Sequence, residues 1–399
     1  MSETFFILGT QRELAREEIA ALAPGLEVVV DKQEVLIVSQ FDGNLGAWQD
    51  KLGGTVKTGL IYGIAQNKEE VMDLLVSLAQ TLRPSEGRQT FGISIYDGGQ
   101  RGRHVALRTQ LQTIGMTVKK RLAEGGRSVR LVTAAAPVLS SVIVRKQRLL
   151  EDGIEFCLFA GEEGIRIGVT ESVQDFETWS RRDFGKPKRD PKRGMLPPKL
   201  ARMLVHFAQG NPESDTILDP CCGMGTVLAE AAVVGYSKLI GGDVDALACE
   251  GTRENLAWEF STVGHAVDLS VLHARVEQIH TFLAPDSIAR IVTEGTLGRP
   301  KHGDETREEL RRELEEISQF TREAFRALAR VLTPGGTLVW CAPASVCGRE
   351  VLEVDLLPHA RLFGLKPLPF FSRETTTQGA LRYGREGQSV YRDVFRFIK

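Results

Sequence analysis

Apolar runs with strand character alternate with amphipathic, helix-like runs from the first residues of the chain. In residues 1–66 the strand-like runs are 5–9, 26–30, 34–40 and 56–65, and the helix-like runs are 11–23 and 43–52. This order, βαββαβ, is typical of a ferredoxin-like domain. The segment contains neither histidine nor cysteine, so we expect it to serve as a scaffold or a docking module.

A second α/β pattern occupies residues 67–170. It predicts helices at 68–83, 104–123 and 139–150 and strands at 90–96, 129–132, 154–160 and 164–169. In the longest of these helices Leu107, Leu111, Ile114 and Val118 recur at helical spacing. They form an apolar side, so the basic residues of this helix should face outward.

A third pattern covers residues 190–399. It predicts strands at 216–218, 239–241, 268–272, 289–293, 337–342, 361–366 and 390–398, and helices that include 199–208, 246–258 and 304–332. This alternation favours a mostly parallel, doubly wound sheet, and the fold class is therefore α/β. The preceding linker, 171–189, opens a stretch of thirty residues with four prolines and two glycines, so we expect it to lack regular structure.

The net charge of −2 conceals a segregation of charge. Residues 101–148 contain eleven lysines or arginines and one acid, Glu124, and residues 181–193 contain seven basic residues and two aspartates. Such clusters favour a polyanionic partner such as a nucleic acid, although each alone could be a solvated helix face or a charged connector. Few aromatic residues accompany the charges, which favours contacts with a phosphate backbone over base stacking.

The six cysteines include no C-x-x-C pair and no nearby histidine cluster, which argues against a zinc site and a disulfide framework. No apolar run approaches the ~20 residues of a membrane span. The N-terminus lacks the basic start and apolar core of a signal peptide. We therefore expect a reduced, soluble, cytoplasmic protein without a metal.

A glycine-rich turn between two carboxylates is the strongest chemical signal. Asp219 ends one predicted strand, Gly223 and Gly225 follow in a tight turn, and Asp243 ends the next strand. A dinucleotide site would need a third glycine where Leu228 stands, and it would avoid a leading carboxylate, which repels phosphate. A cationic ligand with ribose but no phosphate fits better than a dinucleotide or a purely structural role. S-adenosylmethionine has this character, since Asp219 can face its ammonium group and Asp243 its ribose hydroxyls.

Three stretches carry a resemblance to a known family. DPCCGMGTVLAEA at 219–231 resembles a glycine loop of the form DPFCGSGT, and RRDFGKPKRDPKRGMLPPKLARML at 181–204 resembles a basic segment that lines the cofactor pocket. IVTEGTLGRP at 291–300 stands where the family has a strand ending in D-P-P-Y-G or, in bacterial members, T-E-P-Y-L-G-P. The chain thereby resembles, over nearly its whole length, the THUMP-domain tRNA guanosine N2-methyltransferases.

The resemblance implies four segments. They are an N-terminal ferredoxin-like domain (1–66), a THUMP-like RNA-binding domain (67–170), the basic linker (171–189) and a Rossmann-like methyltransferase domain (190–399). The family's partner is tRNA, and its eukaryotic members add a small activating protein subunit as a further expected partner.

The implied reaction transfers a methyl group from S-adenosylmethionine to the exocyclic N2 of a guanosine in tRNA. Glu294 and Thr296 are the implied catalytic residues, and the guanine would be flipped into the pocket. The predicted cofactor-binding residues are Asp219, Cys221, Gly223, Gly225, Thr226, Asp243, Val244, His273 and Leu196. The predicted RNA-binding residues are Lys119, Lys120, Arg121, Arg145, Lys146, Arg181, Arg182, Lys188 and Arg189.

Two positions depart from the family's pattern. Gly295 and Thr296 replace the Pro-Tyr that follows the acid, which removes a stacking platform and introduces a flexible residue. His273 stands where many methyltransferases have an aspartate for the adenine amine. Three hypotheses follow: an active tRNA guanine N2-methyltransferase, a cofactor-binding but catalytically weak or inactive paralogue that acts as an RNA-binding factor, and a methyltransferase for another RNA or nucleophile. Phe184 or Phe370 is a candidate for the missing platform.

Overall fold

The computed structural model describes residues 3–82, 87–124, 126, 128–190, 194–301, 303–371 and 375–399. The chain divides into two compact units: the first is Met1–Arg16 with Ala23–Glu177, and the second is Glu17–Leu22 with Thr178–Lys399. Each unit has its own sheet and its own apolar core. Among the described residues, no helix combines the length and the apolar character needed to cross a membrane.

One eight-stranded sheet forms the first unit. Its strands are β1 (Glu3–Leu8), β2 (Glu27–Lys32), β3 (Val35–Ser39), β4 (Thr55–Ala65), β5 (Gln89–Asp97), β6 (Val129–Val132), β7 (Gly153–Ala160) and β8 (Ile165–Val173). The helices along this part of the chain are α1 (Arg12–Leu22), α2 (Leu45–Lys51), α3 (Lys68–Thr81), α4 (Arg101–Glu124) and α5 (Ser141–Lys146). In α4, Leu107, Ile114 and Val118 are buried, in agreement with the predicted apolar side.

The strand order of this sheet is β2-β3-β1-β4-β8-β7-β5-β6. The first four strands have the order of a ferredoxin-like unit. Strand β4 then pairs antiparallel with β8, so the segments 1–66 and 67–170 share one sheet. The predicted boundary between them falls inside a single compact unit, and the division into two domains stays a prediction.

The second unit is built on a nine-stranded sheet. Its strands are β9 (Thr216–Asp219), β10 (Lys238–Asp243), β11 (Asp268–His273), β12 (Ile288–Glu294), β13 (Leu332–Cys347), β14 (Glu350–Glu353), β15 (Lys366–Pro367), β16 (Leu381–Tyr383) and β17 (Val390–Ile398). The helices here are α6 (Phe176–Phe184), α7 (Pro198–Phe207), α8 (Thr226–Val234), α9 (Ala246–Phe260), α10 (Arg307–Val331) and α11 (Leu357–Leu362), with a 3₁₀ helix at Val276–Thr281.

The main path of this sheet is β11-β10-β9-β12-β13-β17-β15. The pairs from β11 to β13 are parallel, and β17 joins β13 antiparallel. This confirms the predicted doubly wound, mostly parallel sheet. Strand order reverses between β9 and β12, and ligands of open α/β sheets bind outside the carboxyl ends of the strands at such a point.

Local sequence explains the helices that support this edge. Helix α10 begins after Thr306, whose hydroxyl and the Glu309 carboxylate form a capping box. An apolar stripe along this helix, which includes Leu314 and Leu328, is buried in one cluster with Trp340 of the sheet. Helix α9 begins after Asp245, whose carboxylate accepts a hydrogen bond from the Leu247 amide at 2.9 Å.

Two predictions for this unit are wrong. The linker expected to lack regular structure contains α6, whose Trp179 is buried. The predicted strand at 361–366 is mostly helix α11 and the turn after it, because Leu356 and Ala360, four residues apart, are both buried on one side. The basic residues Arg127, Lys192 and Arg193 lie outside the described residues.

Candidate active site

The glycine turn connects the end of β9 to α8. Gly223 and Gly225 have φ values of 50° and 80°, in the left-handed region that favours glycine. A Cβ on Gly225 would lie 2.6 Å from the Leu256 side chain. The turn is fastened to β10, since the Cys222 amide donates to the Gly242 carbonyl at 2.8 Å. The predicted tight turn therefore exists, and both glycines are required by its geometry.

Asp219 is buried at the start of this turn. Its Oδ1 accepts hydrogen bonds from the Thr293 hydroxyl at 2.7 Å and from the Cys221 amide at 3.3 Å. Burial raises the pKa of Asp219 to about 7, and the nearby carboxylates of Asp243 and Glu294 also raise it. Among the described residues no cationic side chain pairs with Asp219. A cationic ligand would therefore relieve an unfavourable concentration of negative charge.

Asp243 ends β10 beside the turn. Its Oδ2 accepts from the Gly223 amide at 2.9 Å, and its Oδ1 accepts from the Asp245 amide at 2.9 Å. Two backbone donors thus fix the direction of the carboxylate. In the next strand His273 lies opposite Asp243, and its Nε2 is 2.9 Å from the Val244 carbonyl oxygen. The predicted ribose and adenine residues therefore lie together at the carboxyl ends of β10 and β11.

Glu294 ends β12 and forms an ion pair with Arg392 of β17. The Arg392 Nε donates to the Glu294 Oε1 across the intervening strand β13. Both side chains are largely buried, with exposed fractions of 14% for Glu294 and 12% for Arg392. Burial raises the pKa of Glu294, and the guanidinium acts against that rise. In the sequence, Arg392 is only one of three charged residues in the closing strand, beside Asp393 and Arg396, and nothing there links it to Glu294.

The loop after Glu294 is more restrained than its sequence predicts. The Gly295 amide donates to the Cys341 carbonyl at 3.1 Å, and a Cβ on Gly295 would lie 2.6 Å from the Trp340 ring. Glycine is therefore needed here for the close approach of the indole. Thr296 is exposed, and its hydroxyl accepts from the Gly298 amide at 3.2 Å.

The basic segment 181–190 is fastened to the glycine turn. Asn255 of α9 accepts from the Lys188 amide at 2.8 Å and donates to the carbonyls of Lys188 and Met224, both at 2.9 Å. The Lys186 amine donates to the Thr226 hydroxyl at 3.0 Å, and burial lowers the pKa of that amine. Sequence reasoning missed Asn255 and Lys186, because their partners are distant in the chain.

Arg181 and Arg182 contact their own domain. Arg181 lies 3.0 Å from Glu259 and stacks over the Trp258 ring at 4.4 Å. Arg182 lies 3.4 Å from Glu259 and 3.6 Å from Glu230. These contacts anchor α6, so both arginines have a structural task beside the predicted contact with RNA. Lys188 and Arg189, the other predicted RNA contacts of the segment, are exposed.

The predicted RNA contacts of the first unit differ in exposure. Lys120 and Lys146 are exposed. Arg121 pairs with Asp73 at 2.6 Å and with Glu69 at 3.0 Å, and Arg145 pairs with Asp175 at 2.8 Å. Lys119 is half-buried. The acidic residues of neighbouring elements therefore neutralise part of the surface that the sequence predicts to be basic.

These elements enclose a cleft of about 530 Å³, part of it open to solvent. Its described lining is Asp190, Gly194, Met195, Leu196, Asp219, Cys221, Cys222, Gly223, Met224, Thr226, Val227, Ala248 and Glu294. The cleft thus combines six residues of the predicted site with the basic segment, while Asp243, Val244 and His273 lie at the next strand ends. No cluster of three or more potential metal ligands occurs among the described residues.

A family model described as an RMKL-like methyltransferase domain matches residues 187–353. Two crystal structures share the fold over the whole chain. TrmN from Thermus thermophilus has a TM-score of 0.55 and 17% identity, with all of both chains covered. A predicted N6-adenine-specific DNA methylase from Listeria monocytogenes has a TM-score of 0.50 and 14% identity, with all of this chain and 96% of the other covered. The second unit is therefore a Rossmann-like methyltransferase domain, and its cofactor is S-adenosylmethionine.

Three similar proteins carry related names. A tRNA (guanine(10)-N2)-dimethyltransferase of Methanothermobacter thermautotrophicus is 48% identical over 63 residues, which is 16% of this chain and 18% of that protein. A second, from Methanocaldococcus jannaschii, is 37% identical over 106 residues, or 26% and 29% of the two chains. A probable enzyme of this name from Methanothermococcus thermolithotrophicus is 30% identical over 170 residues, or 43% and 93%.

The last match shows the family: the chain belongs to the tRNA guanine N2-methyltransferases, as the motifs predict. The matched stretches span less than a third of the first two relatives. The THUMP-like nature of residues 67–170 is not part of these matches and stays a prediction.

Proposed function

We propose that this protein transfers a methyl group from S-adenosylmethionine to the exocyclic N2 of a guanosine in tRNA. One observation carries the proposal. The carboxylates of Asp219 and Glu294 line one cleft from the ends of two neighbouring parallel strands, and a glycine turn closes its side. The names of the relatives, which specify guanine 10 of tRNA and dimethylation, support the same substrate.

The residues present fit the cofactor. Asp219 would face its ammonium group, and Asp243, oriented by two backbone amides, would accept hydrogen bonds from ribose hydroxyls. His273 would lie beside the adenine, and Leu196 supplies an apolar wall. When bound, S-adenosylmethionine supplies an electrophilic methyl group on a sulfonium centre. The protein's main tasks are then alignment and the exclusion of water.

Glu294 is placed to act on the acceptor. The lone pair of a guanine amine is delocalised into the ring, so the amine is a weak nucleophile. A carboxylate that accepts its N–H bonds favours a geometry in which the lone pair points toward the methyl group. Arg392 favours the ionised form of Glu294 against the effect of burial, so the side chain can accept hydrogen bonds and take the proton that N2 releases. The exposed Thr296 could assist at the loop.

The tRNA would reach the site through cations that the structure leaves exposed. Lys188 and Arg189 stand beside the cleft lining in the second unit, and Lys120 and Lys146 are exposed in the first unit. A small activating subunit remains a proposed partner. A cytoplasmic location is likewise proposed, and six free cysteines agree with a reducing compartment.

The alternative is a cofactor-binding paralogue with weak or no activity, and the replacement of Pro-Tyr by Gly295-Thr296 favours it. The ordered loop, with its contact to Trp340 and its intact Glu294, argues for the active enzyme. A methyltransferase for another RNA or nucleophile is the third possibility.

The test incubates the full-length protein with labelled S-adenosylmethionine and unmodified tRNA, followed by nucleoside mass spectrometry. We expect N2-methylguanosine from the wild type, loss of that product in Glu294→Gln, and retention in Glu323→Gln, a matched change at a partly exposed side chain of α10. Cofactor binding by calorimetry without any methylated nucleoside would support the paralogue instead. A different methylated nucleoside would support the third possibility.

A further inference from the structure

The side of the cleft that would hold the guanine has a hydrogen-bond acceptor, the carboxylate of Glu294. The loop that follows Glu294 supplies no aromatic side chain on which the base could stack. A base taken out of a duplex usually stacks on aromatic or apolar side chains in the enzyme pocket. Phe370, one of the two candidates for this surface, is 9% exposed and packs edge-on against Phe207 at 5.7 Å, with Arg396 at 5.2 Å over its ring. It is therefore committed to the core.

Tyr383, which follows Glu294 much later in the chain, reaches the acceptor side of the cleft. Strand β16 pairs antiparallel with β17, and Tyr383 lies directly opposite Arg392 in this register. Side chains at directly opposed positions project from the same face and lie about 5 Å apart at their Cβ atoms. Because Arg392 is bonded to Glu294, the three residues form a row across the carboxyl edge of the sheet.

The end of β16 is held firmly enough to present this ring. Arg382 donates to Asp393 twice at 2.8 Å and to Glu353 at 2.6 Å. A Cβ on Gly384 would overlap the Tyr391 ring, so that ring packs directly over the backbone that follows Tyr383. The strand is therefore fixed on both sides of the tyrosine.

Charged groups around Tyr383 show which part of the molecule it borders. Burial raises the pKa of its phenol, Arg392 and Arg385 lower it, and Asp183 raises it. Asp183 belongs to α6 and lies within the basic segment 181–190, whose last residue, Asp190, lines the cleft. Tyr383 is half-buried, so one part of the ring is supported by protein and another part is free. It adjoins the acceptor carboxylate through Arg392, and the charge of Asp183 acts on its phenol.

We propose that Tyr383 is the platform on which the acceptor guanine stacks, in place of the tyrosine that the loop after Glu294 lacks. The inference rests on the proposed function. Arg392 connects the carboxylate and the aromatic ring of this acceptor site, because it donates a hydrogen bond to Glu294 and lies opposite Tyr383 in the strand pair. The guanine would then meet a carboxylate at its amine edge and an aromatic ring at its face.

Phe184 is the competing platform. It is 63% exposed, and the Arg189 guanidinium lies 5.4 Å over its ring. Among the described residues, its ring contact is with Arg189, and no hydrogen bond or ring contact joins it to Glu294, Arg392 or Tyr383. A change at Phe184 is therefore the matched control for a change at Tyr383.

The experiment measures kcat/KM for tRNA methylation, with cofactor affinity as the control for folding. Tyr383→Ala and Tyr383→Leu should each lower kcat/KM by about 5- to 150-fold, the range that the loss of one stacked base implies. Tyr383→Phe should stay within about twofold, since the ring is kept. Phe184→Ala should also stay near the wild type. Cofactor affinity should be unchanged in all four variants.

A positional readout separates stacking from a general loss of structure. With 2-aminopurine at the acceptor position of the tRNA, the bound wild type should quench its fluorescence, and Tyr383→Ala should leave it brighter. If the wild type is active and Tyr383→Ala and Tyr383→Leu keep its kcat/KM, this inference alone is overturned. A large fall in kcat/KM in Phe184→Ala would show that Phe184 is the stacking platform instead. A wild type that binds cofactor and tRNA without methylating guanosine would overturn the proposed function and this inference with it.

Discussion

Asp219 should make cofactor binding depend on pH near neutrality. Its pKa is raised from 3.8 to about 7, first by burial and then by the carboxylates of Asp243 and Glu294. If only the anion binds the cofactor's ammonium group, affinity follows the ionised fraction. That fraction falls from about ten elevenths at pH 8 to about one eleventh at pH 6, so we expect about tenfold weaker binding at pH 6.

The same shift sets a stability cost in the protein without cofactor. Between pH 3.8 and about 7 the folded state holds a proton on Asp219 that the unfolded state has released. Below pH 3.8 this group therefore costs the folded state no stability. The cost grows as the pH rises from 3.8, and it is complete once the pH has passed about 7. A rise of about three pKa units corresponds to about 4 kcal/mol. Asp219→Asn should remove this cost, because its amide oxygen can keep the bonds from Thr293 and Cys221.

Calorimetric titration between pH 6 and pH 8 tests the first effect, and thermal unfolding over the same range tests the second. Asp219→Asn should bind the cofactor weakly at every pH while unfolding at a higher temperature than the wild type at pH 8. Asp215→Asn, at the opposite end of β9 beside Arg290, is the control and should keep the pH-dependent binding. Affinity that is flat with pH in the wild type, or preserved in Asp219→Asn, would refute the reasoning.

Two further predictions concern the ion pair and the basic surface. Arg392→Gln leaves the largely buried Glu294 unpaired, so we expect a loss of about 3–5 kcal/mol in the free energy of unfolding and a lower unfolding temperature. Adding Glu294→Gln should recover much of this loss, and a double-mutant cycle with no coupling would contradict the pair's importance. Replacing the exposed Lys120 and Lys146 by glutamate should weaken tRNA binding and flatten its salt dependence in filter-binding titrations. Unchanged affinity would mean that the RNA contacts lie on another surface.

Much of the second unit is determined locally. The apolar stripe of α10, the strands around Asp219 and Asp243, and the glycine turn each depend on residues within a few positions of one another. Local patterns encode such features directly, because strand and helix periodicities and left-handed glycines are local properties. For the same reason the sequence placed Asp219, Asp243 and Glu294 at strand ends and indicated a cationic ligand.

Contacts between residues that are far apart in the chain could not be predicted from local sequence patterns. Arg392 reaches Glu294 across ninety-eight positions of the chain, and it does so only because β17 enters the sheet antiparallel beside β13. Asn255 secures Lys188 sixty-seven positions away. The linker forms α6 because Trp179 and its arginines find partners on α7, α8 and α9. Proline and glycine content predicted an irregular connector, and tertiary packing overrode it.

The sequence by itself therefore determined the class of fold, the cofactor turn and the acid at the end of β12. Only the tertiary structure decided which charges are available and which are already paired, as with Arg181, Arg182 and Arg121. It also decided which aromatic ring lies beside the acceptor acid. The physical reason is that strand ends are set by local periodicity, whereas the neighbours of a side chain at a sheet edge are set by strand order and register.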